Sequence, residues 1–539
     1  MRADISGVSP LDYNLATRFC VGDLLTRSCD LFADRVAIVD SSAGAITYAQ
    51  LNQAAGAIGG SLVDFGVEHQ EPVAMLMANS WKFVATFFGC ASAGLVAMPI
   101  NLMLNPQDIA WILRDSGATI VVADQQFIPL LETILPQTPS IERAVGVGGE
   151  LPTSVAGRPV QSWDKLLDRP RMSPVIIEDR DVVHCLYTSG TTSRPKGVLT
   201  SHVAVHVAAL SNAIQIHHAR GDDRTIMPIV LPLFHTTGLD TLLLPVLATG
   251  GTTILPSRFE PESFLDLIEE HRPTHVMLLP MMYAAILASP TLAKRDLTSV
   301  QYALYAMAPM PEERIGEISA AFPNARVLLG SGQTECVPAT VFQWPSHQAH
   351  KFNSWGPSVI TVETQVMDPS GVLLPPGQVG EIVYRGPHVM NGYWNNTKAN
   401  TEAFAFGWFH SGDAGYLDDE GVVWFTDRLK DIVKTGGENV SSVEVERAIL
   451  SVPGVADCAV VGVPDDTWGE IVAAMVVPQP GETGSNTLAD RIIDTCRVRL
   501  ARFAVPKQIH FVDSLPKTAT GKTQKAEVRR AIRTSAGAP

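Results

Sequence analysis

A loop rich in hydroxyl groups follows an apolar run in the first half of the chain. Its polar members and its one glycine are Thr188, Ser189, Gly190, Thr191, Thr192 and Lys196. Hydroxyl groups, backbone N–H groups and one ammonium are donors that suit a polyphosphate. The G-x-x-x-x-G-K-[ST] spacing of a Walker loop is absent, so the composition predicts a phosphate loop of another kind. An ordinary polar surface loop is the alternative.

Three further features could do chemistry. His235 ends the apolar run from residue 226, where a lone histidine is usually a packed, hydrogen-bonded residue. Asp413 is predicted to be an exposed acid at a turn, able to accept two ribose hydroxyls or simply to be solvated. Gly436 and Gly437 allow a backbone to lie close to a thin ligand, or they form a turn before a helix.

Alternating strands and helices must position these residues. Examples are the predicted helix 47–65, the strand 73–77, the helix 106–116 and the strand 119–123. A Pro/Gly-rich stretch from Pro136 to Pro170 precedes the strand that delivers the hydroxyl loop. This alternation predicts an α/β fold with layered, largely parallel sheets.

The last third of the chain differs in composition. Residues 354–428 are rich in Gly, Pro and β-branched residues, which predicts a small β-subdomain. Residues beyond Lys430 are close to neutral, so the acidic balance lies in the larger N-terminal part. We therefore predict a large N-terminal domain, residues 1–429, and a small, mobile α+β domain, residues 430–539, that caps it.

Composition excludes several classes of protein. The net charge of -15 over 539 residues argues against a nucleic-acid binder, because such proteins use a cationic surface. The seven cysteines show no C-x-x-C pair, so neither a zinc site nor a disulfide framework is predicted, and a reducing cytoplasm fits best. Residues 83–104 carry no charge, but glycines and a proline interrupt them, so we expect a buried helix and strand rather than a membrane span.

The order of residues in the hydroxyl-rich loop is specific. Residues 187–197 resemble the Y-T-S-G-T-T-G-x-P-K-G loop of the adenylate-forming superfamily, which includes acyl-CoA synthetases, coumarate-type ligases, firefly luciferase and peptide-synthetase adenylation domains. Ser193 replaces one glycine. Further motifs follow in the family's order at residues 306–309, 330–335, 377–382, 392–394, 407–413 and 515–522. The resemblance thus covers nearly the whole chain.

The resemblance implies a nucleotide site. Thr334 would bond the α-phosphate, and Glu335 would hold Mg²⁺, which suits a carboxylate plus phosphate oxygens. Asp413 and Arg428 would hold the ribose. The residues implied for the adenine turn and its neighbourhood are Ala308, Pro309 and Gln333. Ser331 stands where the family has an aromatic that stacks on adenine, which leaves the adenine contact open.

The resemblance also implies positions for the other substrates. His235 would be the aromatic gate between the acyl pocket and the nucleotide. Lys430 would be the hinge about which the C-terminal domain rotates. Lys434, Gly436 and Gly437 would lie beside the pantetheine arm of CoA.

Lys522 lies in a Thr/Gly loop close to the family's catalytic-lysine motif. A solvated lysine is the alternative. Placing a carboxylate against an α-phosphate sets two anions together, and a positioned ammonium offsets that repulsion in the transition state. A compact lysine charge suits this better than a fork-shaped arginine.

The predicted activity is that of an acyl-CoA synthetase. A monocarboxylic acid reacts with ATP to give an acyl-adenylate and pyrophosphate, and CoA then displaces AMP. Near the gate, small or flexible residues such as Thr236, Thr241 and Met281, without a visible cation, favour a medium- or long-chain fatty acid over an aromatic acid. The other readings are an acyl-AMP ligase that delivers to a carrier protein, a luciferase-type oxygenase and a non-catalytic nucleotide-binding regulator. A homodimer is left open.

Overall fold

The computed structural model describes residues 5–188, 194–306, 310, 312–518 and 521–535. In this part of the chain the strands form five sheets, four before residue 430 and one after it. The helices are Pro10–Thr17, Val21–Phe32, Tyr48–Asp64, Trp81–Ala93, Pro106–Ser116, Ile128–Ile134, His202–Gln215, Leu244–Ala248, Pro261–His271, Pro280–Leu287, Glu312–Ala321, His347–His350, Thr397–Ala403, Ser442–Leu450, Asn486–Arg499 and Lys525–Ser535. The predicted α/β fold, with a small C-terminal α+β domain, is confirmed.

A nine-stranded sheet forms the centre of the N-terminal part. In spatial order its strands are Gly392–Tyr393, Lys196–Ser201, Val182–Thr188, Val96–Pro99, Pro72–Leu76, Ile120–Asp124, Arg143–Val147, Arg158–Ser162 and Ser154–Val155. The six strands from Val182–Thr188 to Arg158–Ser162 in this order run parallel, as predicted. Three of the nine, Arg143–Val147, Ser154–Val155 and Arg158–Ser162, lie in the stretch that the sequence showed only as Pro/Gly-rich. They are short, and Gly146, Gly157 and Pro159 in or beside them obscure the strand pattern.

Two further α/β sheets flank the centre. One contains Ile226–Pro228, Thr252–Leu255, Val36–Asp40 and Gly44–Thr47. The other contains His275–Met277, Tyr302–Tyr305, Arg326–Gly332 and Ala339–Phe342. One continuous core joins them to the helices Tyr48–Asp64 and Trp81–Ala93. No helix among the described residues is long and apolar enough to cross a membrane, and residues 83–104 form a buried helix and strand as expected.

The predicted β-subdomain is an antiparallel sheet. Its strands are Glu363–Met367, Gly380–Arg385, Phe409–Leu417 and Val423–Arg428. The last two strands carry Asp413 and Arg428 directly opposite each other. The register of this sheet therefore sets one part of the candidate site.

The C-terminal part has its own sheet and core. The strands are Glu438–Val440, Val433–Thr435, Gly469–Pro478 and Val455–Asp465, and Gln508–Phe511 pairs with the long strand Gly469–Pro478. Helices Ser442–Leu450 and Asn486–Arg499 cover one face, and Lys525–Ser535 covers the other. The helix Lys525–Ser535 was not predicted, because only Val528 and Ile532 among its eleven residues are large and apolar.

Candidate active site

The strands that flank the hydroxyl loop pair antiparallel, with Thr188 opposite Lys196. The Thr188 hydroxyl donates to the Lys196 carbonyl at 3.4 Å. The Lys196 ammonium lies 4.8 Å from the ring centroid of Tyr393, a cation–π contact. Thr188 and Lys196 are thus held at the root of the loop. The other predicted members, Ser189, Gly190, Thr191 and Thr192, lie outside the described residues, as do Ala308 and Pro309 of the predicted adenine turn.

Thr334 and Glu335 follow the strand Arg326–Gly332 in a short 3₁₀ turn. The Glu335 carboxylate accepts a hydrogen bond from the Tyr393 hydroxyl at 2.9 Å, and its carbonyl accepts one from Met390 N–H at 2.8 Å. Tyr393 therefore contacts both Lys196 and Glu335. It lies in a motif that the sequence analysis recognised without giving this tyrosine a function.

Asp413 and Arg428 form an ion pair across two strands, with 2.6 Å between Asp413 Oδ1 and Arg428 Nε. The prediction of an exposed Asp413 at a turn is wrong. The residue lies in the strand Phe409–Leu417 and is 3% exposed, because the neighbouring strand covers it. Burial raises the pKa of Asp413, while the Arg428 charge opposes that rise. Within the pair, Asp413 is buried and the Arg428 side chain is partly exposed.

Gln333 separates the strand Arg326–Gly332 from Thr334. Its side-chain Nε2 is buried and, among the described residues, has no hydrogen-bond partner. A buried amide donor without a partner is costly, so this position favours a ligand acceptor. Ser331, predicted at the position of the adenine-stacking aromatic, lies half-buried in the same strand.

His235 accepts a hydrogen bond from Thr237 N–H through Nδ1 at 3.2 Å. Burial lowers the pKa of His235 to about 4, with Asp240 opposing and Lys522 adding to the shift. At neutral pH the ring is therefore uncharged, and an acceptor at Nδ1 leaves the proton on Nε2.

A polar network lies behind His235. Asp240, which is fully buried in the π-helical segment Thr237–Leu243, accepts from the Thr236 hydroxyl at 2.7 Å. Its other oxygen lies 3.2 Å from His184 Nε2. Neither His184 nor Asp240 is predicted from the sequence, because they are 56 residues apart in the chain.

Lys522 reaches this region from the C-terminal domain. Its loop is closed by Thr518 N–H donating to the Lys522 carbonyl and Gln524 N–H donating to the Pro516 carbonyl, both at 2.8 Å. At Gly521, a methyl group would lie 3.4 Å from Leu279 and from Met281 of the N-terminal part. The loop therefore packs on the wall of the site.

The Lys522 side chain remains open to solvent within the cleft. Protein atoms around the ammonium, together with the Arg428 charge, lower the pKa of Lys522 to about 8, although Asp413 opposes the shift. The structure thus brings Lys522 into electrostatic contact with Asp413, Arg428 and His235, which are far apart in sequence.

Lys430 lies in the turn after Arg428, where Asp431 N–H donates to the Arg428 carbonyl at 2.9 Å. Its side chain is exposed, as is that of Lys434.

Gly436 and Gly437 connect two strands of the C-terminal sheet in a tight hairpin, with φ of +59° and +87°. The hairpin packs against Trp468, whose carbonyl accepts from Gly436 N–H at 2.8 Å.

The layered N-terminal sheets, the small C-terminal domain and a lysine delivered between them define an adenylate-forming enzyme. Residues 25–394 match the family described as AMP-binding enzyme, and residues 444–522 match the AMP-binding enzyme C-terminal domain. The chain therefore belongs to the AMP-binding enzyme family. Within it, the protein is an AMP-forming acid–CoA ligase of the acyl-CoA synthetase type, which uses ATP and CoA.

Relatives of this chain are CoA ligases for several acids. It is 37% identical over 489 residues to a feruloyl-CoA synthase of Amycolatopsis, an alignment that covers 90% of this chain and 94% of the relative. It is 34% identical over 495 residues to the long-chain-fatty-acid–CoA ligase FadD13 of Mycobacterium tuberculosis, with 90% and 92% covered. The crystal structure of the anthranilate CoA ligase AuaEII with anthranoyl-AMP superposes with a TM-score of 0.89 at 28% identity, over 100% of both chains.

Proposed function

We propose that the cleft joins a monocarboxylic acid to ATP and then to CoA, with the residues described above in distinct roles. In the first step a carboxylate oxygen attacks the α-phosphorus and pyrophosphate leaves. In the second step the CoA thiolate attacks the acyl carbon and AMP leaves. The observation that carries this assignment is the ammonium of Lys522 beside Asp413, Arg428 and His235.

The N-terminal residues hold the nucleotide in this proposal. Asp413 accepts ribose hydroxyls beside Arg428, and Lys196 and Thr334 contact the phosphates. Glu335 is the carboxylate for Mg²⁺, and the Tyr393 hydroxyl orients it through one oxygen. A single carboxylate completed by phosphate oxygens suits this ion.

Lys522 supplies positive charge to the first step. Its ammonium offsets the repulsion between the acid and the α-phosphate as charge develops. The neutral His235 places an N–H, rather than a second cation, at the acyl side of the cleft. A rotation of residues 430–539 about Lys430 then withdraws Lys522 and brings the Gly436–Gly437 hairpin to the pantetheine arm.

The acid is an aryl carboxylic acid in our proposal. Buried polar groups lie behind the gate: Asp240 is fully buried there, and the Thr241 hydroxyl is buried without a hydrogen-bond partner among the described residues. A ring that bears a hydroxyl or ether oxygen would satisfy such a group. The feruloyl-CoA synthase and anthranilate CoA ligase relatives support the same class.

A medium- or long-chain fatty acid is the second candidate, and the sequence alone favours it. Met281 is 56% exposed at the start of the helix Pro280–Leu287, beside the Lys522 loop, where a flexible thioether could cover an alkyl chain. The fatty-acid ligase relative supports this candidate.

The test is acid-dependent AMP formation from MgATP, with and without CoA, over hydroxycinnamic, arylacetic, fatty and dicarboxylic acids. The Lys522→Ala variant serves as the control for contaminating activity. We expect thioester and AMP to form together and fastest with hydroxylated aromatic acids. Faster turnover of fatty acids would make a fatty acid, rather than an aryl carboxylic acid, the preferred substrate. Adenylate that accumulates without any acceleration by CoA would favour delivery to a carrier protein.

A further inference from the structure

A buried polar network joins the protein segments before and after Lys430. Asp427 lies on the last strand of the β-subdomain, and Ser442 begins the first helix of the C-terminal domain. The backbone N–H and the hydroxyl of Ser442 both donate to Asp427 Oδ2, each at 2.6 Å. Asp427 is 1% exposed and Ser442 is fully buried.

Lys525 completes the network from the C-terminal helix. Its ammonium donates to the Ser442 hydroxyl at 2.5 Å and forms an ion pair with Glu446 at 2.8 Å. Burial alone would lower the pKa of Lys525, but Glu446 and Asp427 outweigh it and raise that pKa. The ammonium is therefore charged. Its two bound partners, Ser442 and Glu446, both belong to the C-terminal domain, and it is linked to Asp427 through the Ser442 hydroxyl and by charge.

Lys525 stands three residues after Lys522 in the chain. The loop between residues 516 and 524 is closed by its own backbone hydrogen bonds, so an anchor at Lys525 fixes the root of the loop. At the other side, Gly521 lies so near the N-terminal part that a methyl group on it would be 3.4 Å from Leu279 and from Met281. The position of the Lys522 ammonium thus depends on one anchor at the root and one contact at the tip.

We propose that Asp427, Ser442 and Lys525 form a latch that positions Lys522 for adenylation and opens before CoA transfer. The latch rests on the proposed function, in which residues 430–539 rotate about Lys430. Asp427 precedes that hinge, whereas Ser442 and Lys525 follow it, so rotation must break both hydrogen bonds to Asp427. These three residues act through Lys522 and are positioning residues.

The test separates the two half-reactions in Ser442→Ala and Asp427→Asn. Adenylation is measured as acid-dependent pyrophosphate release, and CoA transfer as AMP release from preformed acyl-adenylate. Loss of a hydrogen bond to a charged group shifts an equilibrium by roughly tenfold or more. We therefore expect adenylation to slow by about that factor, with CoA transfer unchanged or faster. Retained CoA transfer also shows that the variant is folded.

The matched control is Ser451→Ala at the other end of the same helix. The Ser451 hydroxyl donates to the Ala448 carbonyl within that helix at 2.7 Å, so its removal leaves the domain contact intact. Equal slowing of both half-reactions, no change in either, or loss of CoA transfer alone would overturn the latch. A wild-type protein without acid-dependent pyrophosphate release would instead refute the proposed function.

Discussion

The two sides of the cleft are built differently. On the nucleotide side, Asp413 and Arg428 face each other because of sheet register, and Glu335 is held by Tyr393. On the cap side, Lys522 stands on a short loop of a domain with a separate core, and its side chain is open to solvent. In the proposed function, this difference means that rigid strands prepare the nucleotide site, whereas a separate domain that rotates away supplies the charge for the reaction.

The Lys522→Ala substitution should impair only the half-reaction that depends on the cap side of the cleft. We expect adenylation to fall by roughly 10²- to 10³-fold, the usual loss when one group that stabilises transition-state charge is removed. CoA transfer from preformed acyl-adenylate should be nearly unchanged. Both are measured by single-turnover kinetics. Lys517→Ala is the matched control, because Lys517 lies on the same loop but is paired with Asp457 at 2.6 Å. Equal loss in both half-reactions would contradict the division of labour.

Asp413→Asn should weaken the nucleotide side. The change keeps the shape of the side chain but leaves Arg428 without its charge partner, so we expect the KM for ATP to rise by about tenfold or more. The KM for CoA should stay the same. Steady-state kinetics with each substrate varied in turn tests this. A lower Tm without any change in the KM for ATP would show that the Asp413–Arg428 pair stabilises the fold and does not bind ATP.

The pH dependence of adenylation should report the ionisation of Lys522 on the cap side. The pKa of Lys522 is lowered to about 8, so the ammonium is present below that pH and is lost as the pH rises through it. In the absence of CoA, kcat/KM for adenylation should fall by about tenfold between pH 7 and pH 9, since this parameter follows the free enzyme. A profile that stays level to about pH 10 would exclude Lys522 as the titrating group.

Gly436→Ala should give the smallest effect and act on CoA transfer. The residue has φ of +59°, and a methyl group would lie 2.7 Å from the Trp468 ring, so the hairpin must shift. We expect CoA transfer to slow by roughly five-fold, since a left-handed residue other than glycine costs about 1 kcal/mol or more. Adenylation should not change. Gly481→Ala is the control, with φ of +90° and open space around it.

Local signals in the sequence predicted most of the elements. The helix Pro106–Ser116 has the predicted bounds, because Asn105 caps its start, Pro106 occupies the first turn and Gly117 ends it. The strands Arg143–Val147 and Arg158–Ser162 were missed, since their stability comes from neighbours in the sheet rather than from their own sequence.

The residues of the candidate site were predicted from sequence motifs rather than from their three-dimensional surroundings. Residues such as Lys522 and Glu335 are recognisable from their neighbours in sequence. The burial of Asp413 and the pair of His184 with Asp240 depend on contacts between distant segments, which no local pattern reveals. The lowered pKa of Lys522 arises in the same way, first from burial of the ammonium among distant segments and then from charges such as that of Arg428.

The position of Lys522 in the chain has a consequence for protein synthesis. The ribosome makes all nine strands of the central sheet and the Asp413–Arg428 pair before it makes this lysine. Because domains generally fold as units during synthesis, the nucleotide side can form on a nascent chain that lacks this ammonium. If Lys522 acts as proposed, such a ribosome-bound intermediate would bind ATP without consuming it.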